Sequence, residues 1–326
     1  MAAINMVQAI QQALAQALDS DARVLLLGED IGVNGGVFRA TDGLQSRFGD
    51  HRVVDTPLAE SAIVGAAIGL AVNGFRPVAE LQFMGFLYPA MDQLCSQAAR
   101  IRFRSNGRFS APMVVRGPFG GGVRTPELHS ESLEALIAHT PGLKVVIPSN
   151  PYDAKGLLLA SIDDPDPVVF FEPMKLYRAF RQEVPEEPYR VPLGKAQVTR
   201  KGGDLTLIAW GPCVPLVNRV ADEMKDSDGL SLEVIDLRTL VPLDVASIIE
   251  SVQRTGRAVI VHEAVERGGF AAEIIAQINE RALLSLEAPV GRVTGYNTPY
   301  PINQVEDEWL PTVQRVVAKV RETLSF

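Results

Sequence analysis

Short apolar runs recur along the chain, each followed by turn residues and then by apolar positions spaced three and four apart. Parallel α/β folds require this alternation, because a strand buried on both faces is apolar throughout while its crossover helix is apolar along one stripe. The pattern predicts strands over 24–27, 78–83, 113–116, 144–147 and 168–171, filling one sheet, and helices over 6–18, 58–72, 88–100, 132–138 and 152–162. From Glu172 to Gly194 it breaks into Pro173, Pro185, Pro188 and Pro192 among several charges, which reads as a linker. A second α/β set follows, with strands over 205–209, 232–236, 258–262 and 291–294 and helices over 215–224, 244–255 and 270–282. The expected organisation is an α/β domain over 1–180, a linker over 181–195 and a second α/β domain over 196–326.

Composition narrows the function classes. With 326 residues, 47% hydrophobic and 21% charged, the chain can bury two sizeable cores. Its net charge of −8 gives no electrostatic footprint for nucleic acid or an anionic membrane. The longest apolar run, 62–72, is too short to span a bilayer, and no basic and apolar leader opens the chain, so a cytoplasmic protein is expected. Cys95 and Cys213 stand far apart and suggest core thiols rather than a disulfide framework or a metal cluster. The basic run 100–108 opposes the overall charge, as a solvated helix end or a partner contact.

Glu60 opens a helix that carries no other charge. Thr56 is expected as its N-cap and Pro57 as its first residue, which puts Glu60 in the first turn. There the dipole favours the ionised carboxylate while apolar surroundings oppose it, a balance suited to proton exchange near neutrality, or simply to a satisfied helix end. Gly65 and Gly69 share one face of this helix and leave a groove for a close neighbour. Four further segments can carry chemistry. Glu29 follows the first strand, where open α/β sheets place ligands, although acids in such loops are often merely solvated. Glu80 to Tyr88 offers the aromatic rings of Phe83, Phe86 and Tyr88. Gly117 to Ser130 is a glycine-rich loop, either an anion nest or a flexible turn, leading to His129, one of four histidines. Asp163-Asp164-Pro165-Asp166-Pro167 gathers hard oxygen ligands or stops a helix. His51, His139 and His262 are read as structural.

The string Glu60, four residues, Gly65-Ala66, two residues, Gly69-Leu70 resembles the pyrimidine-domain motif of thiamine-diphosphate enzymes. From Met6 to the C-terminus, through Gly28-Glu29-Asp30, the loop 35–41, Thr125 to Ser130, 141–148 and 234–240, the chain resembles β subunits of the first component (E1) of 2-oxo acid dehydrogenase complexes, of pyruvate or branched-chain type. The resemblance implies a pyrimidine-binding α/β domain followed by a transketolase C-terminal-like domain. It implies that Glu60 hydrogen-bonds N1′ of the cofactor's aminopyrimidine and drives the imino tautomer. Phe86 would stack on that ring, with Leu58, Gln82 and Glu29 at cofactor-contacting positions, and His129 would face the substrate and assist transfer to the lipoyl group. A structural potassium ion is implied at Met113, Ser161, Ile162, Asp164 and Asp166, the last replacing an asparagine often found there.

Missing from the sequence is the diphosphate module of such enzymes, Gly-Asp-Gly followed by paired asparagines. The resemblance therefore implies a site completed by an E1 α subunit that holds Mg²⁺ and the diphosphate of thiamine diphosphate, in an α2β2 heterotetramer whose second β domain docks the E2 lipoyl acyltransferase. The implied reaction is oxidative decarboxylation of a small 2-oxo acid, pyruvate in preference to branched-chain acids, with acyl transfer to lipoamide. Two other readings compete. A self-contained transketolase-like enzyme should carry the missing module, and a noncatalytic α/β scaffold would not need Glu60, Phe86 and His129 together.

Overall fold

The computed structural model describes residues 2–125 and 127–326; Pro126, within the predicted histidine loop, lies outside them. The strands of the first half are β1 (Ala2–Ile4), β2 (Val24–Gly28), β3 (Val53–Asp55), β4 (Arg76–Glu80), β5 (Val114–Phe119), β6 (Lys144–Val146), β7 (Val168–Pro173) and β8 (Gln182–Val184). The second half adds β9 (Gln197–Arg200), β10 (Leu205–Ala209), β11 (Leu232–Asp236), β12 (Thr239–Val241), β13 (Ala258–Val265) and β14 (Gly291–Gly295). One seven-stranded sheet has the order β12-β6-β7-β5-β4-β2-β3 and a five-stranded sheet the order β14-β13-β10-β11-β9. Both are parallel except at one edge, where β12 and β9 run antiparallel to their neighbours.

Period-two alternation divides the seven-stranded sheet between two cores. Val24, Leu26, Val78, Val114, Val146 and Val168 face the Met6–Ser20 and Pro151–Asp163 helices. Leu25, Leu27, Ala79, Val115, Val145 and Val169 face Ile63, Val64 and Ala67 of the Glu60–Val72 helix. The second of these cores continues into Ile208, Ile235 and Ile260 of the other sheet, so one apolar layer joins the two halves. Among the described residues no helix is long and apolar enough to cross a membrane.

Several expectations need correction. Residues 182–184 of the expected linker form β8, paired antiparallel with β1. β12, from the second half of the chain, completes the sheet of the first by pairing with β6. The expected helix over 88–100 is a succession of short turns: a 3₁₀ segment Met84–Ala90, a π segment Asp92–Gln97, a 3₁₀ turn Ala98–Arg100 and an α turn Ile101–Arg104. Pro89 has no N–H to give an α-helical bond, which accounts for the break at its start. A terminal helix, Val313–Leu324, capped by Thr312, escaped the pattern reading.

At the centre of the larger sheet lies a buried ion cluster. Arg116 of β5 donates to Glu80 of β4, directly opposite it, and to Glu172 of β7, through Nη2 at 2.9 Å and through Nε. Tyr177 donates its hydroxyl to Glu172. Burial pushes the Glu80 carboxyl upward, against the pull of Arg116. Removing the cation strands two acids without compensation, so Arg116→Met should lower unfolding free energy by about 3–5 kcal/mol. Urea denaturation checks this; a loss below about 1 kcal/mol would mean the acids are solvated elsewhere.

A second buried acid sits where the halves meet. Trp210, after β10, stacks on His262 of β13 at 5.0 Å between centroids and donates from Nε1 to Glu134 Oε1 at 3.3 Å. Glu134 Oε2 has no partner among the described residues, and burial raises this carboxyl from 4.5 to about 7. Between those values the folded chain keeps a proton that the unfolded chain has released, so this contribution to stability falls as pH rises. Glu134→Gln should therefore gain stability relative to the parent from pH 5 to pH 8, by on the order of 2 kcal/mol. Parallel pH–stability curves for parent and variant would exclude it.

Candidate active site

The chain passes from β2 to β3 on one side and then to β4 on the other, so the strand order reverses between β2 and β4. At such a reversal the loops after the two strands diverge and open a crevice at their carboxyl ends. Glu29 follows β2, Gln82 follows β4, and the segment after β3 leads to Glu60. Three of the expected site segments thus converge on one crevice.

Glu60 is the first residue of the Glu60–Val72 helix, and its N-cap is Ala59, without a side-chain bond. The expected cap at Thr56 does not form. The Thr56 N–H is committed to the Gly28 carbonyl at 2.9 Å, which keeps the chain extended past β3, and the Thr56 hydroxyl is buried without a partner among the described residues. Helix thus begins only after Pro57 and Leu58, and Glu60 takes the position nearest the positive end of the dipole. Among the described residues no group donates a hydrogen bond to its carboxylate. Glu29 is close enough that the Glu60 charge helps push its carboxyl upward, after burial and Asp30. Leu58 is 67% exposed beside them, so this side of the crevice is open. Among the described residues a Cβ on Gly65 would meet only Gln93 Cγ, at 3.6 Å, and one on Gly69 would meet open space, so no other backbone fills the expected groove.

His129 and Phe86 come together although 43 positions separate them in the numbering. The imidazole lies edge-on to Phe83 at 4.5 Å and to Phe86 at 5.0 Å, and Phe38 extends the ring cluster from Phe83 to Tyr177. Gly85 makes this possible: a Cβ there would lie 1.7 Å from the Leu128 carbonyl oxygen. The loop is clasped at its base by the Thr125 and Ser130 hydroxyls, 2.6 Å apart. His129 Nδ1 is buried and has no partner among the described residues, which leaves a polar atom available to a bound molecule. Gln82 is half-buried on the same strand end. An unpaired carboxylate, an aromatic wall and an unpaired imidazole nitrogen suit a flat heteroaromatic ligand and proton traffic around it.

The sequence reading missed the acids that hold the glycine-rich loop. Glu263 of β13 accepts from Gly121 N at 3.1 Å, and Glu306 accepts from Gly122 N at 2.9 Å and Arg124 N at 3.2 Å. Burial raises the Glu263 carboxyl to about 7. His262-Glu263 was legible only as a packed strand end, and nothing local marks Glu306.

The expected cation ligands lie around one turn, and as placed each accepts from a group of the chain. Asp164 pairs with Lys144 and Asp166 with Arg102 at 2.6 Å. The Met113 carbonyl accepts from Val168 N, that of Ser161 from Asp164 N and that of Ile162 from Arg76 Nη1. Among the described residues no cluster of three His, Cys, Asp or Glu side chains could hold a metal ion. Each of the two carboxylates thus faces one cationic side chain.

Comparison with known proteins identifies the family of both domains. The family profile described as transketolase, pyrimidine binding domain, matches residues 2–179, and the transketolase C-terminal domain profile matches 194–316. Pyruvate dehydrogenase E1 component subunit beta of Bacillus subtilis is 58% identical, and that of Staphylococcus aureus 56%, each over 100% of both chains. A solved chain described as a split-gene transketolase, inactive beta4 tetramer, superposes with a TM-score of 0.80 over 99% of both chains at 21% identity, a likeness of fold. The first profile covers more than half of the residues and the relatives match end to end; the chain therefore belongs to the family of pyruvate dehydrogenase E1 component beta subunits.

Proposed function

We propose that this chain supplies the aminopyrimidine half of a thiamine-diphosphate site and that an E1 α subunit supplies Mg²⁺ and the diphosphate half. The observation that carries this is Glu60, an unpaired carboxylate at a helix start in an open crevice at the sheet's switch point. Glu60 holds the proton of a ring nitrogen, and Glu29, whose carboxyl is pushed upward beside it, offers a second proton site. Leu58, Gln82 and Phe86 hold the ring. Bound thiamine diphosphate supplies the electron sink that lets a 2-oxo acid lose carbon dioxide. His129, whose Nδ1 has no partner among the described residues, holds or delivers a proton as the acyl group passes to lipoamide.

Pyruvate is the substrate that best suits end-to-end relatives named for it; a branched-chain 2-oxo acid is the alternative. The assembly is α2β2, with the second domain facing the E2 acyltransferase. The exposure of Leu58 and Tyr88, at 67% and 47%, supports a partner over this edge.

Two substitutions in the enzyme reconstituted with an α chain test these roles. Glu60→Gln should assemble normally by gel filtration and lose at least about a hundredfold in pyruvate decarboxylation read with an artificial electron acceptor. Activity near that of the parent would remove Glu60 from the chemistry. His129→Ala should lose at least about tenfold more in lipoamide acylation than in acceptor-coupled decarboxylation; equal losses would place His129 before the transfer step.

A further inference from the structure

The loop that carries His129 is gripped by the other domain. Gly120 and Gly122 have φ of +81° and +89°, and Arg124, with a full side chain, has φ of +61°. Such a run of left-handed residues does not hold its course unaided. Three of its backbone donors instead end on carboxylates of the second domain. Gly121 donates to Glu263, while Gly122 and Arg124 converge on the single oxygen Oε1 of Glu306. The Tyr300 hydroxyl donates to that same oxygen at 2.6 Å and lies so near Gly121 that a Cβ there would be 1.8 Å away. Glu306 is buried, and Arg124 is tied outside it to Asp307 at 2.6 Å and to the Asn303 carbonyl at 2.9 Å. On the far side of this anchor come the Thr125–Ser130 clasp and His129.

We propose that Glu306 is a positioning residue for His129: by fixing Gly122 and Arg124 it holds the histidine loop against Phe83 and Phe86 and thereby sets the rate of acyl transfer. This rests on the role given to His129 above. The apolar layer shared by the two sheets joins the domains independently of Glu306, so its loss should free the loop without separating them.

The test uses the α-reconstituted enzyme bearing Glu306→Ala, Glu306→Gln or Tyr300→Phe. Three quantities are read: hydrogen exchange of the 119–130 peptides, the kcat of lipoamide acylation, and acceptor-coupled decarboxylation. Glu306→Ala should raise exchange in that segment about tenfold while peptides of both sheets stay protected. It should lower acylation by about 10- to 100-fold and leave decarboxylation within about twofold. Glu306→Gln, which keeps the accepting oxygen, should recover most of the rate, and Tyr300→Phe should fall between. Unchanged exchange in a folded Glu306→Ala enzyme overturns the anchoring whatever His129 does. Raised exchange with normal acylation, where His129→Ala is impaired, overturns the link to rate. If His129→Ala itself acylates normally, the role of His129 fails and exchange alone decides the anchoring. Should Glu306→Ala not fold, the Tyr300→Phe enzyme carries the test, and parental exchange of its 119–130 peptides overturns the proposal.

Discussion

Arg116 ties together three neighbouring strands of the larger sheet near their carboxyl ends, and the site is built on that tie. Two carboxylates and a tyrosine hydroxyl surround it with water excluded, so Glu80, Glu172 and Tyr177 must stay where its guanidinium compensates them. Glu80 ends β4 immediately before the segment that carries Gln82, Phe83 and Phe86. Its Oε1 would lie 2.9 Å from a Cβ on Gly36, so the loop after β2 rests on the same acid. Tyr177 packs on Phe38, which meets Phe83 and through it the histidine. A charge cluster costly to bury thus acts as a rigid floor from which the aromatic wall rises.

On that floor the crevice has two unlike sides. On one side Leu58 is exposed and the Glu60 carboxylate has no partner among the described residues, whereas the His129 side is closed by carboxylates of the second domain. The second domain therefore does more than extend the fold. It supplies the acceptors for a glycine loop whose own residues cannot specify a path, and it lends β12 to the edge of the first sheet. A loop rich in left-handed residues needs its amide donors committed somewhere, and here they are committed across the domain boundary.

What was legible from residues alone follows from local periodicity. The expected strands over 205–209 and 232–236 match β10 and β11 residue for residue, because a buried parallel strand is a continuous apolar run. The Glu60 motif and the Thr125 to Ser130 string were legible because their chemistry is written in adjacent residues. Where a long-range bond overrode a local preference, the reading slipped. Thr56 looks like a cap but spends its N–H on Gly28, and the residues after Pro89 look helical but wind through 3₁₀ and π turns.

The sequence by itself determined two α/β halves, the lack of a Gly-Asp-Gly pattern within these 326 residues and the choice of Glu60 and His129 as candidates, since each depends on residues near one another in the chain. Only the tertiary structure decided that Arg116 would be caught between Glu80 and Glu172, that Phe86 would meet His129, and that Glu306 would hold Gly122 from 184 positions away. The physical reason is that periodicity is a property of neighbours, whereas the pairing of a buried donor with its acceptor is settled only when packing excludes water and leaves one partner within reach.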